Sequence, residues 1–199
     1  LSTDKAAAPI NLYGATKLTS DKLFINANHF KGNRRCKFSV VRYGNVMGSR
    51  GSVVPIFLRQ KAKSEKFTIT DINMTRFNIT LNDSAKFVLF CLKKMKGGEI
   101  FVPKIPSYKI LDVLKALEKK PKYSLIGIRA GEKLHEELIT KSDSLNVEEY
   151  NSFFIINPSY KAKKKKLKKI FEYNSQNNSK FLTPEEIKKL IKDNKKDFE

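Results

Sequence analysis

The first seventeen residues, LSTDKAAAPINLYGATK (residues 1–17), concentrate the side chains that decide the fold and its chemistry. An Asp-Lys pair follows Thr3, and Tyr13 and Lys17 come later at a spacing of one helical turn. Residues four apart lie on the same face of a helix, so the phenol and the ammonium become neighbours. The cation stabilises the phenolate, which can then take a proton from a hydroxyl group. A simple surface pair has the same spacing, so the rest of the sequence must distinguish the two.

Composition indicates a globular protein. Of the 199 residues, 40% are apolar and 30% are charged, which is enough apolar material for one sizeable core or a domain and a half. No run of residues approaches the ~20 apolar positions of a membrane span. The chain does not open with a basic segment and an apolar core, as a signal peptide does. We therefore expect a cytoplasmic protein with no membrane span.

The net charge of +20 lies largely in late lysine clusters such as KAKKKKLKK (161–169). A solvated lysine-rich surface explains this excess without any partner. Nucleic-acid binding is the alternative, but no zinc-finger, basic-zipper or RNA-recognition pattern supports it. Cys36 and Cys91 lie in apolar runs and are predicted to be buried thiols without a disulfide.

Predicted strands and helices alternate along the chain, which favours an α/β fold with a substantial parallel sheet. The predicted helices cover 11–30, 53–63, 81–95, 109–120 and a segment beginning after Gly131, with a capping box at Thr183-Pro184-Glu185-Glu186 before the last one. The predicted strands cover 36–46, 67–70, 74–80, 99–103, 123–129 and 153–157.

The opening segment resembles the active-site segment of the extended short-chain dehydrogenases/reductases. Within that family, Thr3-Asp4-Lys5 resembles the nucleotide-sugar 4,6-dehydratases, and Asp-Lys in place of Asp-Glu points to those that act on UDP-N-acetylglucosamine. The resemblance as a whole is to the inverting group among them. Further segments are similar to the same group and extend the resemblance over nearly the whole chain: 39–57, 74–77, 97–107, 127–139 and 171–187.

The resemblance implies a mechanism for the catalytic residues. Tyr13, helped by Lys17, removes the C4 hydroxyl proton while hydride passes to NADP, with NAD as the alternative cofactor. Lys5 then removes the C5 proton as a neutral amine, and Asp4 protonates the departing C6 hydroxyl. Thr3 hydrogen-bonds the sugar oxygen. Hydride returns to C6 and C5 is inverted, giving a 4-keto-6-deoxy sugar nucleotide for pseudaminic acid or related surface glycans.

The resemblance also implies the binding residues. Tyr13, Lys17 and Val46 would contact the cofactor, and no metal is expected. The UDP-sugar would be bound by Asn45, Arg50, Gly51, Ser52, Arg76, Arg129 and Glu132. A surface ion pair is the alternative for each arginine, since forked guanidinium contacts suit phosphate and carboxylate equally. His135 is interpreted as structural.

No Gly-x-x-Gly-x-x-Gly loop, which in this family holds the cofactor pyrophosphate, occurs in the sequence. We therefore expect an incomplete Rossmann-like fold: the C-terminal part of a larger enzyme, inactive without its N-terminal half, in a family that forms homo-oligomers. The predicted division is 1–47 for the end of the cofactor domain with the catalytic helix, 48–140 for mixed substrate-binding and Rossmann-completing segments, and 141–199 for a lysine-rich extension with a terminal helix.

Three other functions stay open. A retaining 4,6-dehydratase or a nucleotide-sugar epimerase of the same family would also use Thr3, Tyr13 and Lys17, although an epimerase has no use for the Asp4-Lys5 pair. A basic, non-catalytic binding module would depend on the late lysines instead.

Overall fold

The computed structural model describes residues 1–49, 51–158 and 170–194. Arg50 and the lysine cluster at 161–169 lie outside them. The chain is a mixed α/β protein, as predicted. Its contacts divide it into two units, each assembled from three segments: unit 1 is Leu1–Tyr43, Ser84–Lys104 and Glu137–Asn174, and unit 2 is Gly44–Asp83, Ile105–Glu136 and Ser175–Glu199. The three domains predicted from the sequence stay a prediction.

Apart from the helix expected after Gly131, the predicted helices begin and end close to the predicted positions, and a four-residue helix that was not predicted follows Thr140. The helices are α1 (Leu12–Phe30), α2 (Val53–Ala62), α3 (Leu81–Lys94), α4 (Ile110–Leu117), α5 (Lys141–Ser144) and α6 (Pro184–Asp193), with a 3-10 turn at Asp4–Ala6. The predicted capping box is present at α6: the Thr183 side chain accepts from the Glu186 amide, and the Glu186 side chain accepts from the Thr183 amide.

The six strands predicted from apolar runs are present but shorter than predicted, and the structure has further short strands that were not predicted. The strands are β1 (Ser2–Thr3), β2 (Val40–Tyr43), β3 (Phe67–Ile69), β4 (Thr75–Phe77), β5 (Ile100–Pro103), β6 (Ser107–Lys109), β7 (Tyr123–Leu125), β8 (Glu137–Ile139), β9 (Val147–Glu149), β10 (Phe153–Ile156) and β11 (Tyr173–Asn174). Unit 1 holds a five-stranded sheet in the order β1-β2-β5-β10-β9. The pairs β1–β2 and β2–β5 are parallel, and β10 is antiparallel to both of its neighbours.

The two faces of this sheet differ in chemistry, because successive side chains on a strand point to opposite faces. Val41 packs with Cys91 of α3 and Phe101 in an apolar cluster, to which partly buried aromatic residues of α3 and β10 add area. Arg42, the next residue, is buried on the other side and pairs with Asp21 of α1. Unit 1 therefore has an apolar face toward α3 and a face toward α1 that carries buried charge.

Unit 2 has its own apolar core. It joins α2, α4 and α6 with two short sheets, β3–β7 and β4–β6. Its fully buried members include Phe57, Phe67, Leu114 and Ile187, and Phe57 and Phe67 meet edge to face with ring centroids 5.6 Å apart. Such aromatic contacts favour a defined packing over a loose one.

Two predictions are wrong. The helix predicted directly after Gly131 is absent. The segment between Gly131 and β8 is irregular, because its backbone groups are paired with other segments. The Leu134 carbonyl accepts from the Thr75 amide, and the Glu136 carbonyl accepts from the Ser175 amide. Cys36 is exposed rather than buried, since it precedes β2 instead of lying in it. Cys91 is buried, and burial raises the pKa of its thiol to about 12.

Candidate functional site

The Thr3-Asp4-Lys5 segment forms a compact hydrogen-bonded turn at the end of β1. Thr3 caps the 3-10 turn, and its hydroxyl donates to Asp4 Oδ1 at 2.8 Å. The Lys5 ammonium donates to the same oxygen at 3.1 Å. Asp4 is completely buried, whereas a third of the Lys5 side chain is exposed. The turn therefore presents an acid and a base that share one hydrogen bond.

The second carboxylate oxygen of Asp4 is the unusual feature of this turn. Asp4 Oδ2 is buried and has no hydrogen-bond partner among the described residues. An unpaired buried carboxylate oxygen is costly, so such atoms call for an explanation. A hydroxyl or amide group that donates a hydrogen bond to this oxygen would satisfy it.

Tyr13 and Lys17 lie in the first turns of α1, as predicted. Asn11 caps this helix by accepting from the Gly14 amide at 2.8 Å, which fixes where the helix begins. The Tyr13 side chain is about half exposed, at 54%. The Lys17 ammonium donates to the Leu1 carbonyl at 3.3 Å, so it lies beside the strand that leads into the Asp4-Lys5 turn.

Gly14 explains how α1 comes so close to that turn. A Cβ atom at this position would overlap the Lys5 carbonyl oxygen and touch the Pro9 side chain. Only glycine permits this approach of helix to turn. The residue next to Tyr13 therefore sets the distance between the two predicted catalytic segments, all within unit 1.

The predicted substrate residues lie in unit 2, with Arg50 outside the described residues. Asn45, Val46, Gly51 and Ser52 belong to the loop between β2 and α2, where Val46 bridges to Ile79. Gly51 has a φ of +75°, a conformation that suits glycine. Ser52 is the N-cap of α2, but its side chain makes no capping hydrogen bond. Asn45 Oδ1 and Ser52 Oγ are both buried without a partner in the described part of the chain.

Arg76, Arg129 and Glu132 have different surroundings. Arg76 on β4 is buried, and its Nη1 donates to the carbonyls of Thr75 and Leu134 at 2.7 and 3.1 Å. Its other nitrogens are 3.7 Å from Glu132 and 3.8 Å from Glu136, beyond hydrogen-bond length. Arg129 is exposed. Glu132 Oε2 is another buried oxygen without a partner in the described residues.

His135 is half-buried beside this arginine. Its Nδ1 is 2.8 Å from the Thr75 hydroxyl, which also lies 2.7 Å from the buried Ser175 hydroxyl. Burial lowers the pKa of His135, the nearby Arg76 cation lowers it further, and Asp71 opposes them. These contacts agree with the structural role predicted for His135.

The sequence reasoning missed four residues of unit 1. Arg42 is buried on β2 and contacts Asp21 of α1 and Asp143 of α5, while the Ser2 hydroxyl donates to Asp21. A signal was available: an arginine inside the buried strand VVRY, and an aspartate four residues after Lys17 on the same helix face. No helix of the described residues is long and apolar enough to cross a membrane, and they contain no metal-ligating cluster.

Comparison with known proteins supports the resemblance. A family model described as "Polysaccharide biosynthesis protein" matches residues 1–158. The chain is 49% identical to a UDP-N-acetylglucosamine 4,6-dehydratase (inverting) of Campylobacter jejuni, covering 96% of this chain and 62% of that protein. It is also 36% identical to a UDP-glucose 4-epimerase of Rickettsia canadensis, over 96% of this chain and 60% of that one.

Solved structures share the fold. The crystal structure of Pen from Bacillus thuringiensis superposes with a TM-score of 0.84 at 38% identity, covering 96% of this chain and 60% of that one. A UDP-glucuronic acid 4-epimerase mutant from Bacillus cereus, in complex with a fluorinated UDP-sugar and NAD, superposes at 0.57 and 21% identity, over 66% of this chain and 48% of that one. The chain thus spans about three fifths of the length of the relatives it matches most fully. The match over most of its residues shows that the chain belongs to the polysaccharide biosynthesis protein family.

Proposed function

We propose that this chain carries the catalytic and sugar-nucleotide-binding groups of a UDP-N-acetylglucosamine 4,6-dehydratase. The observation that carries the proposal is the Asp4-Lys5 pair at the end of β1, in which Asp4 is buried and one of its carboxylate oxygens has no partner in the described residues. Loss of water needs a base for the C5 proton and an acid for the leaving C6 hydroxyl. The 49% identity to a dehydratase over 96% of the chain supports the same assignment.

The shared hydrogen bond supplies both catalytic groups at once. Moving one proton from the Lys5 ammonium to the Asp4 carboxylate yields a neutral amine and a neutral acid without changing the net charge of the pair. Lys5 can then accept the C5 proton, and Asp4 can donate its proton to the leaving oxygen.

Tyr13 and Lys17 would prepare the sugar for this step. The half-exposed Tyr13 hydroxyl can reach a substrate, and Lys17 has donors left beyond its contact with the Leu1 carbonyl. These groups fit the nicotinamide ribose of a cofactor, and NAD is present in the structure of the Bacillus cereus relative. A bound nicotinamide supplies the hydride acceptor for C4 and the hydride donor for C6. Tyr13 takes the C4 hydroxyl proton, which makes the ketone that acidifies C5.

Unit 2 supplies groups for the nucleotide. Three of its predicted ligands, Asn45, Ser52 and Glu132, each have a buried oxygen without a partner in the described residues. Ser52 stands at the N-terminus of the ten-residue helix α2, where the helix dipole and unpaired amides favour phosphate. The exposed Arg129 guanidinium adds positive charge. These features support binding of a nucleoside diphosphate sugar.

The finer parts of the proposal rest on the resemblance. They are NADP as the cofactor, with NAD as the alternative, inversion at C5, a homo-oligomer, a cytoplasmic location and a product used for pseudaminic acid or related glycans. Val46 and Arg50 belong to the proposed site on the same ground.

A 4-epimerase is the second candidate, favoured by the 36% identity to a UDP-glucose 4-epimerase. An epimerase needs Tyr13 and Lys17 to oxidise C4 and return hydride to the other face of the same carbon. It leaves the buried Asp4-Lys5 pair without a task, which favours the dehydratase.

The test uses the product of the complete gene, because the chain spans 62% of its dehydratase relative. The enzyme is incubated with UDP-N-acetylglucosamine in deuterated water and followed by proton NMR. A C6 methyl signal with deuterium at C5 supports the dehydratase, and the ring couplings report the configuration at C5. A product that keeps its C6 hydroxyl and differs only at C4 would identify an epimerase.

The variant Lys5→Ala sharpens this test. It should abolish water loss and deuterium uptake at C5 while C4 oxidation persists. Lys22→Ala, which removes an exposed lysine of α1, is the matched control and should behave as the wild type. Unimpaired dehydration by Lys5→Ala would reject Lys5 as the base.

A further inference from the structure

Arg42 is a charged residue in an apolar place. It lies on β2, in the interior of the five-stranded sheet, with only 2% of its surface exposed. Its neighbours on the same face of the sheet are buried aliphatic residues, including Val40 and Ile100, which pair across β2 and β5. Burying a guanidinium there is costly unless its contacts compensate. An aliphatic residue would fill the space at lower cost, so the arginine has a role other than filling it.

The contacts of Arg42 join several segments of unit 1. Its Nη2 is 3.2 Å from Asp21 Oδ2, and its Nη1 is 3.3 Å from Asp143 Oδ2 and donates to the Leu138 carbonyl at 3.2 Å. Asp21 Oδ2 also accepts from the Ser2 hydroxyl at 2.9 Å. One buried carboxylate oxygen therefore holds both β1 and β2 against α1.

The two segments that meet at this oxygen are those that carry the proposed catalytic groups. Ser2 immediately precedes Thr3-Asp4-Lys5 on β1. Asp21 follows Tyr13 and Lys17 at successive four-residue steps, along one side of α1. The hydrogen bond between Ser2 and Asp21 therefore lies close to both segments. Ser2 is one residue before the Thr3-Asp4-Lys5 turn, and Asp21 is one helical turn after Lys17.

We propose that Ser2, Asp21 and Arg42, named here the clamp, are positioning residues that fix the Tyr13–Lys17 pair relative to the Asp4–Lys5 pair. Because the clamp holds both pairs in position, removal of water across C5–C6 follows oxidation at C4 without accumulation of the oxidised intermediate. Displacements of about 1 Å cost roughly a hundredfold in rate, so a loosened β1 slows the elimination more than the oxidation. This inference rests on the proposed function.

The experiment uses the complete enzyme and separates the two chemical stages. Wild type, Ser2→Ala and Arg42→Lys are mixed in excess with UDP-N-acetylglucosamine. Reduced nicotinamide is followed by absorbance, and the C6 methyl product by NMR. Ser84→Ala, which removes another buried serine of unit 1 on α3, is the matched control. Ser2→Thr keeps the hydroxyl and tests for rescue.

Wild type should convert substrate without accumulating reduced nicotinamide. Ser2→Ala should slow elimination about tenfold, and Arg42→Lys about a hundredfold, with KM unchanged and reduced nicotinamide accumulating. Ser2→Thr should restore coupling, and Ser84→Ala should match the wild type. A variant that only unfolds more easily would lower the rates of oxidation and of elimination by the same factor. That factor is the fraction of folded protein, which thermal unfolding measures.

The outcomes separate the two proposals. Suppose that the wild type makes the 6-deoxy product and that Ser2→Ala forms reduced nicotinamide and product in the same ratio as the wild type. The proposed role of the clamp is then wrong, and the proposed function stands. If the wild type makes no such product, the proposed function is wrong and the clamp falls with it. Ser2→Ala leaves the Arg42–Asp21 ion pair in place, so it decides the question even if Arg42→Lys fails to fold.

Discussion

Two buried arginines, one in each unit, lie between pairs of carboxylates at different distances, and Arg42 also has a buried Nε without a partner in the described residues. Arg42 of unit 1 contacts Asp21 and Asp143 at 3.2 and 3.3 Å, within hydrogen-bond length. Arg76 of unit 2 is 3.7 and 3.8 Å from its two glutamates, and one of them, Glu132, keeps a buried oxygen without a partner in the described residues. Each cluster consists of one arginine and two carboxylates, but the ion pairs of Arg42 are shorter than those of Arg76.

The difference indicates what each cluster can do. A hydrogen-bonded buried ion pair fixes segments relative to one another, since breaking it leaves an uncompensated charge. A loosely paired cluster keeps donors and acceptors that a ligand can take over at little cost. We therefore expect Arg42 to fix segments of unit 1 relative to one another, and we propose that the Arg76 cluster can exchange its partners for a ligand group.

The largest expected effect is on stability. Arg42→Met should lower the free energy of unfolding by about 3–5 kcal/mol, because it leaves Asp21 buried and unpaired. Arg76→Met should cost about 1–3 kcal/mol, since its ion pairs are longer than hydrogen bonds. Urea unfolding followed by circular dichroism measures both. Equal losses of unfolding free energy for Arg42→Met and Arg76→Met would show that the two arginines do not differ in how strongly they are paired.

Two glycines that permit close contacts, one in each unit, provide the next test. A Cβ at Gly14 would overlap the Lys5 carbonyl, and one at Gly44 would overlap the Phe77 side chain, next to Arg76. Each substitution to alanine should cost about 1–3 kcal/mol through overpacking. Gly14→Ala should mainly lower kcat, because it displaces the Lys5 turn, and Gly44→Ala should mainly raise KM. Ala15→Gly changes helix propensity without a clash and serves as the control for α1.

A smaller effect is expected on nucleotide affinity. Arg76→Gln should weaken UDP binding about tenfold, the equivalent of one charge-assisted hydrogen bond. Arg42→Lys should leave UDP affinity unchanged, because the ion pairs of Arg42 lie within unit 1. Isothermal titration calorimetry with UDP gives both values. Unchanged binding by Arg76→Gln would show that this arginine is a structural ion pair.

The smallest effect concerns pH. The pKa of His135 is lowered from 6.5 by burial and by Arg76, so the unfolded chain binds a proton at a higher pH than the folded one does. Stability therefore falls as the pH drops below 6.5, with no penalty above it. His135→Asn removes this dependence and should gain stability relative to the wild type only under acidic conditions. Urea midpoints at about pH 8 and about pH 5.5 test it, and an equal difference at both values would contradict the pKa direction.

Much of the fold could be predicted because local signals and packing agree. The α6 capping box and the glycine stop after α3 are sequence-local, so the helix ends were within reach. The segment after Gly131 misled the prediction: its helical pattern is overruled by pairing of Leu134 and Glu136 with distant chain segments. Pairing partners sixty or forty residues away leave no mark on a local pattern.

The site shows the same limit. The spacing of Tyr13 and Lys17 and the adjacency of Asp4 and Lys5 are local, and the structure places each pair as neighbours on one element. The clamp is not local, because Asp21 and Arg42 meet only after α1 packs on the sheet. Helix α1 even reverses the usual pattern: it buries Asp21 while Leu12, Leu23 and Phe30 are exposed. A reading by hydrophobic periodicity would not choose Asp21 as an inward residue.

The division into two units has a consequence for synthesis on the ribosome. The chain passes from one unit to the other five times, so each unit combines early, middle and late segments. Unit 1 cannot complete its sheet before β9 and β10 have emerged, although β1 is synthesised well before them. Folding therefore waits for distant segments, which slows it and leaves strand edges exposed in the nascent chain. We expect such a protein to depend on chaperones that bind apolar segments until residue 174 has left the exit tunnel.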